Sequence, residues 1–174
     1  MSDLRYPTGP FRPHPTSTRS ERDVMIRAIE EAPEELTKAV SGLDEKQLDT
    51  VYREGGWTAR QVVHHVADSH MMGYVRLKLA LTEDDPTVKP YDEAAWAELA
   101  DLAWTPVSVS LLLVEGLHRR FVAAFRNIDD AGFRRPFEHP ERGHLTVDWL
   151  LQLYSWHGRH HAAHITALRN RMGW

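Results

Sequence analysis

A chain of 174 residues, 42% hydrophobic and 26% charged, is long enough for one domain with its own core. A net charge of −4 gives no overall basic footprint for nucleic acid or an anionic membrane, and no apolar run approaches the roughly 20 residues that span a bilayer. Cysteine is absent, which excludes disulfides, thiolate-bound zinc and a protein thiol nucleophile, whereas histidine is abundant at 11 residues. Any metal site must then be built from imidazole, carboxylate or solvent.

Residues 1–20 carry Pro7, Pro10, Pro13 and Pro15 and no apolar stretch of signal-peptide type. They are expected to form an extended arm that packs on the domain or frays, and the expected compartment is the cytoplasm. Thr16 to Ser20 offer N-caps ahead of Glu21, and Val24, Ile26, Ile29, Leu36 and Val40 recur with helical period to about Val40. Pro33 is expected to kink or divide that helix. Ser41-Gly42 ends it, and Asp44 to Tyr52 reads as a short helical connection.

After Gly55-Gly56, Thr58 and Gln61 have the spacing of a capping box, with Trp57 and Val62 placed as a hydrophobic staple. The second long helix should run from about Ala59 to Leu81. Pro86 to Pro90 reads as a loop, and Asp92 caps a short helix to about Ala103. Thr105-Pro106 opens a third long helix, apolar on Val109, Leu112, Leu113, Leu117, Phe121 and Phe125. Gly132, Pro136, Pro140 and Gly143 suit an irregular connection or small hairpin between Asp129 and Leu145. Thr146 then caps the last helix, Val147 to about Arg171. These elements predict an all-α protein: an antiparallel four-helix bundle with short connecting helices, one domain over residues 1–174. The Pro86 to Thr105 connection is long enough for a crossover.

The chemistry-bearing pattern is in the histidines. The last helix holds two pairs spaced four apart, His157 with His161 and His160 with His164. Residues four apart share a helix face, so either pair can reach one ion, and a further ligand must come from another helix. His64, His65 and His70 on the second helix are the source. A helical wheel at about 100° per residue puts His70, His157 and His161 nearest the middle of the apolar stripes, with His65 at an edge and His64 turned away. The spacing admits a site without choosing its members, and hydrogen-bonded core histidines are the competing interpretation.

Several longer stretches resemble the YfiT-like branch of the DinB superfamily. They are Gly55 to His70 (GGWTARQVVHHVADSH), Lys78 to Glu83, Lys89 to Trp96, Trp156 to His164, and the terminal Tyr6 to Gly9 and Arg171 to Trp174. The resemblance implies a four-helix bundle holding one divalent ion, zinc, nickel or another, on three histidines. By motif position it implies His65, His160 and His164 as the ligands, which leaves His70, His157 and His161 as core or supporting groups. It also implies a homodimer, a reading shared by the apolar helix faces and the proline-rich arm.

Three protein ligands leave coordination positions open, the pattern of a catalytic site, where an ion lowers the pKa of a bound water or thiol. The resemblance implies two activities, metal-dependent hydrolysis and transfer of a low-molecular-weight thiol such as bacillithiol. Thiol transfer to an electrophilic small molecule is the expected reaction, and the absence of cysteine fits it, since the thiol would arrive as cosubstrate. Metal-dependent hydrolysis is the alternative, and a metal-binding stress protein without turnover is the third possibility. No catalytic residue beyond the ligands is identified. Asp68 is a candidate to orient an imidazole or take a proton, and Arg159 and Tyr154 are candidates to contact an anionic cosubstrate. Trp57, Trp96 and Trp156 read as core anchors, and Arg119-Arg120 and Arg134-Arg135 as solvated surface.

Overall fold

The computed structural model describes residues 3–174; Met1 and Ser2, the first residues of the expected arm, lie outside the described residues. Four long helices dominate: α1 (Arg19–Val40), α3 (Ala59–Thr82), α6 (Val107–Arg126) and α8 (Val147–Met172). Between them lie α2 (Glu45–Leu48), α4 (Glu93–Ala97), α5 (Ala100–Trp104), α7 (Asp130–Phe133) and a hairpin of β1 (Pro136–His139) with β2 (Gly143–Thr146). In the hairpin Phe137 pairs with Leu145 and His139 with Gly143.

The starts follow from the caps. Thr58 accepts from Gln61 N at 3.1 Å while Gln61 Oε1 accepts from Thr58 N at 2.9 Å, so two otherwise unpaired amides at the head of α3 are satisfied. Thr146 caps α8 through Trp149 N at 3.2 Å, and Gly173 closes it at φ 73, a left-handed conformation that glycine adopts without strain. Two boundaries differ from expectation. The Asp92 helix breaks into α4 and α5, and Pro106 is the cap of α6 rather than its first residue.

Pro33 does not divide α1, which runs unbroken through it. Proline has no N–H to give the carbonyl four residues back, so Ile29 O loses its helical partner. The bond is replaced from outside the helix: His118 Nδ1 lies 2.6 Å from Ile29 O.

Around the bundle, α1 packs on α6 and α8, and α3 packs on the same two, so the consecutive long helices α1 and α3 stand diagonally. The Pro86 to Thr105 connection thus carries the chain from α3 to α6. One part of the core gathers Ile29, Leu77, Phe121, Phe125, Leu150 and Tyr154, and another gathers Leu36, Val62, Val66, Val114, Ile165 and Leu168. The α3–α8 contact is close at Gly73, where a Cβ would lie 2.2 Å from the Tyr154 ring. That gap lets Tyr154 donate to Ser69 O at 2.9 Å. Among the described residues no single helix is long and apolar enough to cross a membrane.

The arm does pack on the bundle, along α8. Ser17 N and Oγ donate to Asp148, His14 exchanges two bonds with Gln152, Trp156 Nε1 donates to Gly9 O, Thr8 Oγ1 meets His160 Nδ1, and His164 Nε2 meets Arg5 O. The α8 partners 148, 152, 156, 160 and 164 recur every four residues, one stripe of the helix. The arm therefore runs antiparallel to α8, tied once per turn.

Candidate metal centre

α3 and α8 bring three imidazoles together. One ring nitrogen each of His65, His157 and His161 lies within 4.8 Å of the others, and His65 Nε2 and His157 Nε2 face each other at 3.4 Å. His157 and His161 are one turn apart on α8, and His65 enters from the facing side of α3. The ring centroids of His157 and His161 are 4.4 Å apart, and those of His65 and His161 4.8 Å. Trp57, just before the α3 cap, leans on His65 at 4.6 Å between ring centroids and closes one side.

This is not the set that the resemblance implied. His65 is in the group, but His160 and His164 belong to the adjoining stripe that ties the arm. His160 stacks on Trp156 at 4.1 Å and meets Thr8, while His164 stacks on Tyr52 at 4.1 Å and meets Arg5 O. Both α8 pairs have a spacing of four, but they are offset by three residues, which turns one about 60° from the other. Spacing cannot tell the two stripes apart; the position of α3 does.

Burial sets the chemistry of the trio. Desolvation pushes His65 down to about 4, and it pushes His157 and His161 well down, with the neighbouring imidazoles adding to the effect. All three are neutral near pH 7 and carry lone pairs. Nδ1 of His161 is buried with no hydrogen-bond partner among the described residues. A buried ring nitrogen without a partner is costly unless a cation takes up its lone pair. Imidazoles bound at roughly 2.1 Å to a tetrahedral ion stand about 3.4 Å apart, so the His65–His157 spacing suits one. The residues present fit a divalent ion.

The trio opens into a cavity of about 560 Å³. Tyr6, Pro10 and Phe11 of the arm form one wall, Trp57, Tyr91 and Trp156 contribute aromatic surface, and Arg76, His139 and Arg142 stand in its lining. Behind the trio, His157 Nδ1 lies 3.1 Å from His70 Nε2, and His70 Nδ1 lies 2.7 Å from His118 Nε2. His118 escapes the sequence argument because a lone histidine in an apolar stripe looks like any core residue.

The remaining candidates sort by position. Tyr154 lines the cavity, its hydroxyl held by Ser69 O. Arg159 does not; it folds back on Ser155 O at 3.1 Å and lines a separate groove with Glu35 and Lys38. Asp68 is also outside the cavity, its carboxyl raised by burial and then by Asp101. His64 turns to α6, where its Nδ1 meets Ser110 Oγ at 2.8 Å. Trp96 packs on Tyr91 at 4.6 Å.

A four-helix bundle with three converging histidines, two buried and one half-buried, facing an open cavity is a helical scaffold able to hold a metal ion, with room for a small molecule. The chain belongs to the DinB superfamily, whose family model matches residues 28–165. It is similar to proteins from Bacillus cereus (strain 03BB102) and Bacillus thuringiensis subsp. konkukian, each 53% identical over the full length of both chains and each named "putative metal-dependent hydrolase". Among solved structures it is similar to YfiT from Bacillus subtilis, with 48% identity, 98% of each chain covered and a TM-score of 0.96. That protein is described as a probable metal-dependent hydrolase with an unusual four-helix bundle topology.

Proposed function

We propose that this chain is a metal-dependent hydrolase of a small molecule, with His65, His157 and His161 as the ion's ligands. The observation that carries the reading is the convergence of these three neutral imidazoles at the floor of the aromatic-walled cavity. A divalent ion there would supply Lewis acidity, polarising a carbonyl and acidifying water. The chain's own residues do the rest. The three rings hold the ion from one side, Trp57 restricts solvent beside His65, and the arm residues Tyr6, Pro10 and Phe11 wall the cavity so that a substrate is held against the open side. The names borne by full-length relatives favour hydrolysis.

Transfer of a low-molecular-weight thiol such as bacillithiol is the second reading, favoured by the lack of any cysteine in a chain with this cavity. Initial rates with zinc-, nickel- or manganese-loaded protein separate the two. Hydrolysis predicts turnover of ester or amide substrates with no thiol present, and inhibition by added thiol. Thiol transfer predicts consumption of an electrophile only when metal and thiol are both present. Thiol-dependent turnover alone would overturn the hydrolase proposal.

A further inference from the structure

We infer that Ile29 O, His118 and His70 form a hydrogen-bond chain that fixes which nitrogen of His157 carries the proton, so that its Nε2 lone pair faces the metal centre. The inference rests on the proposed ligand set. Counting protons along the contacts gives the direction. A carbonyl oxygen only accepts, so at Ile29 O the donor is His118 Nδ1–H, 2.6 Å away. Neutral His118 then has a bare Nε2, and His70 Nδ1, 2.7 Å away, must donate to it. His70 Nε2 is bare in turn, so the proton in the 3.1 Å contact belongs to His157 Nδ1. That leaves His157 Nε2 unprotonated beside His65. His70 and His118 are shut off from solvent, where a charged ring is costly, so each has one N–H to place.

Pro33 is the origin of the chain, because its missing N–H leaves Ile29 O available to a donor from α6. His70 and His118 are thus positioning residues, 0% and 1% exposed, that act on the centre through His157.

The test reads tautomers in metal-free protein, by two-bond proton–nitrogen NMR of the imidazoles. Wild type should show His118, His70 and His157 all as the Nδ1–H form. In His118→Phe, His70 loses its acceptor and can reverse, so His157 should gain Nε2–H form and metal affinity should fall about 10- to 100-fold. A wild-type spectrum with Nε2–H at His157 or His70 overturns the inference even if the variant does not fold, as does a His118→Phe protein with unchanged His157 tautomer and affinity. Failure of the ligand set itself shows separately, as absence of metal uptake by wild type.

A second, independent observation concerns the substrate, and it also rests on the hydrolase reading. The geometry points to Arg76 as the anchor of a subsite for a carboxylate-bearing small molecule. Arg76 lies eleven residues beyond His65 on the same face of α3, about 16 Å along the axis, and is one of the residues lining the same cavity. It is 9% exposed; Nη2 donates to Lys89 O at 3.2 Å, Nε is buried with no partner, and among the described residues no carboxylate pairs with it. A buried charge left unpaired by its own protein is costly, and a guanidinium fork matches a carboxylate. The acids in the lining, Glu93 and Glu141, are exposed, while Arg142 adds a second cation nearby. A substrate held at both ends would have its reacting bond at the histidines and its carboxylate at Arg76.

Metal-free protein is titrated with propionate, propionamide and inorganic phosphate, with the Arg76 Nε–H resonance as readout. Propionate should shift it saturably, and propionamide should bind at least about tenfold more weakly. In Arg76→Met, followed by isothermal titration calorimetry alongside wild type, the preference for propionate over propionamide should be lost. No propionate response, an equal response to propionamide, or tighter binding of phosphate overturns the carboxylate subsite. Because no metal is needed for this binding, a metal titration of the same protein reports on the hydrolase reading by itself.

Discussion

Replacing His157 with alanine is expected to abolish stoichiometric divalent metal binding, while His160→Ala retains it. His157 and His161 are the α8 members of the trio, and removing one leaves only two of the three converging imidazoles. The loss should exceed the 10- to 100-fold typical of supporting residues. His160 faces Thr8 and Trp156 instead, so its removal should loosen the arm without touching the ion. Helicity should survive in both variants, because the apolar contacts of α8 through Leu150, Leu151, Ile165 and Leu168 are unaltered. Equilibrium dialysis against zinc or nickel, with far-UV circular dichroism as the folding control, measures both. Metal loss in His160→Ala with retention in His157→Ala would restore the set implied by the resemblance.

The metal-free protein should lose stability steeply on mild acidification. His65 has an ordinary pKa near 6.5 and is pushed down to about 4 by burial. Below pH 6.5 the unfolded chain therefore takes up a proton that the folded chain refuses until about pH 4. The contribution of this group is complete above pH 6.5, drains as the pH falls toward 4 and is level below that. For His65 alone, 8% exposed, the span corresponds to roughly 3 kcal/mol. His157, His161, His70 and His118 are displaced the same way by burial and add to it. The total is a large share of the roughly 5–15 kcal/mol that holds an ordinary domain folded. Urea midpoints of metal-free protein at pH 7.5 and pH 5 should fall markedly between the two. Equal midpoints would mean that the histidines are not buried in neutral form.

Much of the fold was legible because it is written in local chemistry. The Thr58, Asp92 and Thr146 caps and the long apolar periods place the helices within a few residues. Pro33 misled because a proline in a helix signals a lost bond, and the sequence does not reveal a histidine from another helix standing in for it. The centre was legible in pieces. The wheel favoured His157 and His161, which are in the trio, but it chose His70, which lies one layer behind, over His65. The family resemblance implied His65 but took the α8 pair from the neighbouring stripe. A turn of about 60° decides between His157/His161 and His160/His164, and that turn depends on where α3 docks, which no one-helix argument contains. Arg76 and His118 gave no sequence signal, because what sets them apart is an unpaired charge and a proton count, both products of packing.

The three proposed ligands can be seen in crystals grown with zinc and measured at its absorption edge. One anomalous peak per chain is expected, about 2.1 Å from a ring nitrogen of each of His65, His157 and His161. A peak against His160 and His164, or none near the three rings, would contradict this ligand set.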